Sequence, residues 1–309
     1  IADLEKQVRA IESAARLKSA DRAWCIEGHF LGDYSLSQLN RESARALIAE
    51  GETVTLSHHD GQTHQPLDPG DLADWPELAS ALASIEAQPC TVYSRNLYPP
   101  KVTDYRSDGI RVLHHYAWEE SGFPMPWASD FSQSLDGISC LSTHVMKILA
   151  DHGVDRPMGV SGCGVRPAQA TVATPSVEDR FVFLHVSSCF PRKGIDVLLE
   201  AYAQAFTADD PVVLKIKTFA NPHNTVDALI ESVTQRFPAR AAIEVTYDSV
   251  SDEAMAMQYQ AADVLVAPSR AEGFGLPIFE ASLYGTPAIV TAWGGAMDLC
   301  TADNAYLLD

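Results

Sequence analysis

Two glutamates with a glycine-rich turn between them are the residues of this chain best suited to chemistry. Glu272 and Glu280 flank "GFGLPIF", in which Pro277 suits the first position of a helix because its missing N–H would lack a partner there anyway. The helix should run from about residue 277 to 283 or 284, with Glu272 on the loop and Glu280 on the first turn. The backbone N–H groups that would then face an anion belong to Gly273, Phe274, Gly275 and Leu276.

The two carboxylates suit a ligand that carries hydroxyls on both sides of an anionic centre. A carboxylate accepts two hydrogen bonds in a fork, so each glutamate can hold a different diol of one ligand. A nucleotide sugar has this form, with ribose at Glu280, hexose at Glu272 and a diphosphate between them. On spacing alone, the alternative is a capped helix with two exposed acids.

Lys193 is a basic residue at the start of a predicted helix. It stands in "PRKG", directly before the helical pattern "IDVLLEAYAQAF". A cation is mildly disfavoured at the start of a helix because of the helix dipole, so a lysine at this position favours a role in binding. The alternative is a solvated basic residue on a surface turn.

Composition excludes several classes of function. The 309 residues carry 41 acidic and 22 basic side chains, a formal charge of −19, which argues against a partner that is a nucleic acid or an anionic membrane. The six cysteines are scattered without a C-x2-C pair, so neither a zinc site nor a disulfide framework is predicted. With no apolar stretch of membrane-spanning length and no signal pattern, we expect a cytoplasmic protein.

The elements that must position these residues follow an alternating pattern of strands and helices. Apolar spacing predicts a helix or connector over residues 1–22, which either packs on its own domain, joins an upstream domain or forms a short coiled coil. Strand candidates of a first domain, residues 23–172, are "AWCIE", "ETVTL", "CTVY" and "RVLHHY". A helix lies in "LSQLNRESARALIAE", and we expect it to open with a capping box of Ser35 and Gln38 and to end at Gly51.

A second domain, residues 173–309, repeats this alternation after the small, polar linker "AQATVATPSVEDR". Its strand candidates are "RFVFLHV", "PVVLKIK", "AIEVTY", "DVLVAP" and "PAIVT", with helical patterns between them. The expected fold class is α/β, with two Rossmann-like domains whose parallel sheets face a central cleft. Because the chain begins at Ile1 and stops soon after a strand, we expect a piece of a longer chain with an incomplete C-terminal domain.

A further cluster of functional residue types lies in the first domain, in "HHYAWEESGFPMPW", residues 114–127. His114 and His115 close a predicted strand, and the alternative to catalysis is a pair of strand histidines, one of them buried. Glu119 follows that strand.

The segment "AEGFGLPIFEASLYGTP" resembles the E-x7-E signature of retaining GT-B glycosyltransferases, especially glycosyltransferase family 4. "FPRKGIDVLLEAYAQAF" is similar to the family segment whose lysine contacts the donor diphosphate, a role that the resemblance gives to Lys193. The Trp-Glu pair Trp118–Glu119 is similar to a subgroup of the family, and on that similarity His114, Trp118 and Glu119 lie on the acceptor side, with Glu119 and His115 as catalytic candidates. Ser187 stands where the family often has a phosphate-binding arginine, and either Arg192 or Ser187 with Ser188 takes over its role.

The resemblance implies a retaining hexosyltransferase that moves a sugar from a nucleotide-diphosphate donor to a glycan or lipid-linked glycan. It suggests bacterial surface-polysaccharide synthesis, with mannose or a deoxyhexose as candidate sugars, at the inner face of the membrane through partners. No D-x-D triplet occurs, so no metal and no other cofactor is expected. The alternatives are a GT-B epimerase or phosphorylase, and a non-catalytic nucleotide-sugar-binding domain of a larger protein.

Overall fold

The structure, a computed structural model, describes residues 23–32, 34–59, 67–82, 90–105, 109–165, 167 and 179–309. The chain divides into two compact units, Ile1–Cys163 and Gly164–Asp309. The predicted N-terminal helix and the predicted domain boundary between residues 172 and 173 lie outside the described residues, so both stay predictions.

The first unit contains a six-stranded parallel sheet in the order β2-β1-β3-β4-β5-β6. Its strands are β1 (Ala23–Gly28), β2 (Thr53–His58), β3 (Val92–Asn96), β4 (Ile110–Tyr116), β5 (Gly137–Cys140) and β6 (Met158–Val160). β3 is buried along its whole length, as expected for a central strand of a parallel sheet covered on both faces. The direction of the strand order reverses between β1 and β3, so the loops after these strands leave the same edge of the sheet side by side.

The helices of this unit are α1 (Ser35–Ala49), α2 (Pro76–Ser80), α3 (Met125–Ser134) and α4 (Thr143–Asp151). The predicted capping box at Ser35 is wrong. Tyr34 is the N-cap of α1 and makes no side-chain cap, and Ser35 is already the first helical residue. The end of the helix agrees better with prediction, because Gly51 follows the C-cap residue Glu50 with a left-handed φ of 82°.

The second unit also contains a six-stranded parallel sheet, in the order β12-β11-β10-β7-β8-β9. Its strands are β7 (Phe181–Val186), β8 (Val212–Lys217), β9 (Ala242–Thr246), β10 (Val264–Ala267), β11 (Ala288–Thr291) and β12 (Ala305–Leu308). Counted within the unit, this is the strand order 3-2-1-4-5-6 of a dinucleotide-binding fold, and its direction reverses between β7 and β10. The predicted fold class is therefore confirmed for both units.

Helices of the second unit are α5 (Ile195–Ala205), α6 (Val226–Arg236), α7 (Asp252–Gln260) and α8 (Leu276–Leu283). They bury both faces of the sheet, because successive strand residues enter different cores. Leu184 packs in one hydrophobic cluster and the adjacent Phe183 packs against the other. No helix in the described part of the chain is long and apolar enough to cross a bilayer.

Candidate functional site

The residues predicted to bind the donor lie at the point where the strand order of the second sheet reverses. Lys193 is on the loop after β7 and Glu272 is on the loop after β10, and these two strands are hydrogen-bonded neighbours. In open parallel sheets, ligands bind outside the carboxyl ends of the strands at such a reversal. The topology alone thus brings the predicted cation and the first predicted carboxylate to one edge.

A short 3-10 turn carries Lys193. The turn spans Pro191–Lys193 and ends at Gly194, which has a left-handed φ of 69° and is the N-cap of α5. A Cβ atom at Gly194 would lie 2.0 Å from the carbonyl oxygen of Pro268, so only glycine allows the turn to lie this close to the loop after β10.

Lys193 and Glu272 form a direct ion pair. Lys193 Nζ donates to Glu272 Oε1 over 2.5 Å, and the two side chains are only 14% and 13% exposed. Ser269 Oγ donates to the same carboxylate oxygen over 2.9 Å. The second oxygen, Oε2, lies 3.9 Å from Arg192 Nη1, whose guanidinium also donates to the carbonyl of Ala271 over 3.1 Å. The site therefore holds one largely buried carboxylate between two cations.

Glu280 has a different environment. It is the fifth residue of α8, which begins at Leu276, so the prediction that it lies on the first turn is wrong. Tyr259 donates its hydroxyl to Glu280 Oε2 over 2.7 Å. Burial raises the pKa of the Glu280 carboxyl, and the hydrogen bond from Tyr259 opposes that change.

The glycine-rich turn between the glutamates is tightly packed. Gly273, Phe274 and Gly275 are buried and Leu276 is half-buried. Gly275 is the N-cap of α8 and has a φ of 91°. The amide of Gly295 donates to the carbonyl of Glu272 over 2.8 Å, which fixes the start of the turn. The amides predicted to bind an anion therefore lie on a segment whose backbone is fixed by a hydrogen bond from Gly295.

A buried histidine network lies close to the ion pair. His185 Nδ1 donates to the carbonyl of Val266 over 2.7 Å, so its Nε2 is the acceptor for the Ser187 hydroxyl, also at 2.7 Å. The Ser187 oxygen in turn accepts from the amide of Cys189 over 2.9 Å. Burial lowers the pKa of His185 to about 4, helped by the charge of Lys193. The imidazole is thus neutral near pH 7 and holds the start of the loop that leads to Lys193.

This network includes Ser187, which stands where the family that the motifs resemble often has an arginine. The single hydroxyl proton of Ser187 is used by His185. Ser188 is half-buried, and its carbonyl accepts from Asn221 Nδ2 over 2.9 Å. Arg192, by contrast, reaches toward Glu272. Of the residues in the two alternatives drawn from the sequence, Arg192 is the one whose cationic group lies beside Glu272.

The residues predicted in the first unit divide into buried and accessible ones. His114 is buried, with Nδ1 2.8 Å from Ser94 Oγ and Nε2 2.8 Å from Asn40 Oδ1. Burial lowers its pKa to about 3. Trp118 is also buried, and its Nε1 donates to the carbonyl of Gly122 over 2.7 Å. Both side chains satisfy their polar atoms within the unit, which fits a structural role.

His115 and Glu119 are more accessible. His115 is half-buried and has a φ of 47°, a left-handed conformation that is uncommon for a residue other than glycine and that often marks a functional segment. Its Nδ1 lies 2.8 Å from Ser161 Oγ and 3.1 Å from the Gly162 carbonyl. Glu119 is half-buried on the loop after β4. These two residues belong to the first unit and the Lys193–Glu272 pair belongs to the second.

Sequence reasoning missed several residues that build the ion-pair site. Ser269 and Arg270 directly precede the recognised motif, and Asp196 lies inside the helix that follows Lys193. His185 could have been found, because a histidine in a strand buried on both faces needs partners for its two ring nitrogens. In the part of the chain that the structure describes, no group of three or more His, Cys, Asp or Glu side chains is arranged to hold a metal ion.

The fold and the site define a two-unit α/β protein with a lysine–glutamate ion pair at the strand-order reversal of its second sheet. Residues 170–309 match the sequence model of the family described as glycosyl transferases group 1. A D-inositol 3-phosphate glycosyltransferase from Geodermatophilus obscurus is 35% identical over 150 residues, which is 45% of this chain and 32% of that protein. The chain thus spans about a third of the length of this curated relative.

Solved structures share the fold over nearly the whole chain. A glycosyltransferase from Rickettsia africae matches with a TM-score of 0.69 at 14% identity, covering 93% of this chain and 84% of the other. A protein from Anabaena, solved in complex with UDP-glucose, matches with a TM-score of 0.64 at 16% identity, covering 92% and 85%. The chain therefore has the GT-B fold.

Proposed function

We propose that the chain is, or is part of, a glycosyltransferase that moves a hexose from a nucleotide-diphosphate sugar to a glycan or lipid-linked glycan. The observation that carries this proposal is the ion pair of Lys193 and Glu272 at the strand-order reversal of a domain that matches a glycosyltransferase family. The UDP-glucose bound to the fold relative from Anabaena is consistent with a donor of this class.

In the proposed mechanism, Lys193 stabilises the nucleotide diphosphate as it departs. Negative charge grows on the diphosphate when the glycosidic bond breaks, so an ammonium beside it binds the transition state more tightly than the intact donor. Arg192 and the amides of the Gly273–Leu276 turn add positive potential at the same edge. Glu272 orients the hexose through its hydroxyls, and no covalent intermediate on the protein is required.

A diphosphate that reaches Lys193 must compete with Glu272 for the ammonium. The carboxylate keeps Ser269 as a hydrogen-bond donor when Lys193 turns toward a phosphate oxygen. Glu272 Oε1 then has capacity to accept a hydroxyl of the sugar. Donor binding and sugar orientation are in this way linked through one ion pair.

The finer features of the proposal come from the resemblance of the motifs. They are retention of configuration, independence from metal ions, ribose binding by Glu280, mannose or a deoxyhexose as the sugar, and a role in bacterial surface-polysaccharide synthesis through partners at the membrane. Glu119 and His115 are the proposed acceptor-side residues, because both are accessible at or after the end of β4. The burial of His114 and Trp118 favours a supporting role for them.

A thermal-shift screen with GDP-, UDP- and dTDP-sugars tests this function. A ligand at one hundred times its dissociation constant stabilises a protein by about 2.7 kcal/mol, which corresponds to roughly 5–10 °C for a unit of this size. We expect one nucleotide series to produce such a shift and the parent nucleosides, which lack phosphate, to produce little. Transfer or slow hydrolysis of the same donor would distinguish an enzyme from a binding domain, and no shift with any nucleotide would contradict the proposal.

A further inference from the structure

Lys193 and Glu272 belong to segments that are 79 residues apart in sequence, and neither segment is a regular helix or strand. The pair keeps its geometry only if the turn at residues 191–194 is fixed to the loop at residues 268–272. The contact of Gly194 with the Pro268 carbonyl brings the two backbones together but supplies no bond. Hydrogen bonds between the two segments are therefore needed to fix the turn to the loop.

Arg270 makes most of these bonds. Its amide donates to the carbonyl of Arg192 over 2.7 Å, and its guanidinium Nη1 donates to the carbonyl of Pro191 over 2.8 Å. The same guanidinium forms a fork with Asp196, with Nη1–Oδ1 and Nη2–Oδ2 distances of 2.8 and 2.7 Å. One residue of the Glu272 loop thus binds two carbonyls of the Lys193 turn, those of Pro191 and Arg192, and also the first turn of α5.

Asp196 directs the guanidinium toward that turn. It lies on the first turn of α5, where a carboxylate is favoured by the helix dipole. The hydrogen bond from Arg270 lowers the pKa of Asp196, so the carboxylate is charged at neutral pH. Both side chains are about half exposed, at 49% for Arg270 and 47% for Asp196, and an ion pair with such exposure contributes little to global stability.

We propose that Arg270 and Asp196 form a positioning pair that holds the turn bearing Lys193 against the loop bearing Glu272. This inference rests on the proposed function and deepens it. Arg270 acts through the geometry of the other two residues, because its guanidinium is bound to Asp196 and to the Pro191 carbonyl. Small displacements of catalytic groups reduce turnover strongly, so a pair that adds little stability is expected to matter for activity.

The second unit offers a matched control. Arg236 and Glu200 form the same kind of forked ion pair, with side chains 51% and 33% exposed, between α6 and α5. Glu200 is one helical turn after Asp196 on the same helix. Arg236→Ala removes a comparable surface pair and leaves residues 191–194 and 268–272 untouched.

The experiment compares Arg270→Ala, Asp196→Asn, the double variant and Arg236→Ala. Turnover of donor should fall roughly 10- to 100-fold in Arg270→Ala and less in Asp196→Asn, while the donor KM stays within about three-fold. The double variant should lose no more than Arg270→Ala, because the two residues act as one unit. Arg270→Lys should recover only part of the loss, since an ammonium cannot form the fork. Arg236→Ala should keep normal turnover.

Hydrogen exchange supplies a readout that does not depend on transfer. Peptides that cover residues 188–196 and 268–276 should exchange faster in Arg270→Ala and Asp196→Asn, and should match the wild type in Arg236→Ala. Equal exchange and equal turnover in Arg270→Ala and Arg236→Ala would overturn the inference. A loss of turnover in Arg270→Ala with none in Asp196→Asn would also overturn the pair, because Asp196 would then have no part in holding the turn that bears Lys193.

The same measurements separate failure of this inference from failure of the proposed function. A wild-type protein that neither binds nor turns over any nucleotide sugar would contradict the function, and the exchange comparison would still decide whether Arg270 holds the two segments together. A wild-type protein that transfers sugar, with an Arg270→Ala variant of equal activity and exchange, would leave the function intact and remove the positioning pair.

Discussion

Replacing Lys193 by alanine is the most direct test of the candidate site. The substitution removes the ammonium that donates to Glu272 and that is proposed to face the diphosphate. It leaves the Glu272 carboxylate with the Ser269 hydroxyl and the more distant Arg192 as neighbours. We expect turnover to fall far more than donor affinity, because the lost interaction strengthens as the leaving group gains charge.

The expected loss of turnover follows from the burial of Lys193 and from the short distance between its ammonium and the charge on the leaving group. Lys193 is 14% exposed, so an effective dielectric constant of about 20 is appropriate. A full charge about 3 Å from the ammonium then interacts by about 5–6 kcal/mol. If about half a charge develops in the transition state, the loss is about 3 kcal/mol, within the range of roughly 2–4 kcal/mol for one preorganised donor. This corresponds to a reduction in turnover of about 30- to 900-fold.

Steady-state kinetics with saturating acceptor provides the assay, and calorimetric titration of the nucleotide diphosphate gives the affinity. Lys193→Arg keeps the charge and should retain part of the activity. Lys147→Ala serves as a control, because it removes a lysine from an exposed ion pair of the first unit with side chains 69% and 53% exposed. A folded Lys193→Ala protein with near-normal turnover would refute the argument, and would leave Lys193 as a partner of Glu272 without a role in transfer.

Three further predictions concern the carboxylates, the buried histidine and metal ions. Calorimetry should show that Glu280→Ala weakens nucleotide diphosphate binding by about 1–3 kcal/mol, whereas Glu272→Ala leaves it nearly unchanged and lowers turnover; equal losses would contradict the two-diol assignment. The folded-state pKa of His185 is about 4, below its unfolded value near 6.5. Protonation of this group should therefore lower the free energy of unfolding by about 3 kcal/mol as the pH falls from 6.5 to 4. Denaturant titrations of His185→Gln should show a smaller loss of stability over this pH range than the wild type shows. Transfer should survive EDTA, and activity that returned only with Mn²⁺ would overturn the metal-independent mechanism.

The architecture was predictable because its strands carry strong local signals. "AWCIE" and "RVLHHY" each lie within one residue of the ends of β1 and β4, since a strand buried on both faces reads as an apolar run bounded by polar residues. Helix α5 was likewise indicated by its apolar spacing. The cap of α1 was missed because Ser35 and Gln38 satisfy the capping pattern, whereas only the backbone conformation decides that Tyr34 is the N-cap.

The candidate site was predictable in its residue types and less so in its contacts. Motif resemblance identified Lys193 and Glu272, but spacing along the chain could not show that they form an ion pair, because that contact depends on the strand order. Arg270 carries no sequence signal of its own, since an arginine on a polar loop is ordinarily solvated. Its role becomes visible only when the turn at residues 191–194 is seen beside it.

The close approach of Gly295 to the glycine-rich turn has a consequence for reading mutational scans of this chain. A Cβ atom at residue 295 would lie 2.0 Å from the carbonyl oxygen of Gly273, as one at residue 194 would from Pro268. Every side chain is therefore excluded at both positions, although neither glycine supplies a charged or hydroxyl group to a ligand. Intolerance to substitution at these positions would reflect steric exclusion. Residues that are sensitive in a mutational scan would therefore include positions that pack beside the site as well as residues of the site itself.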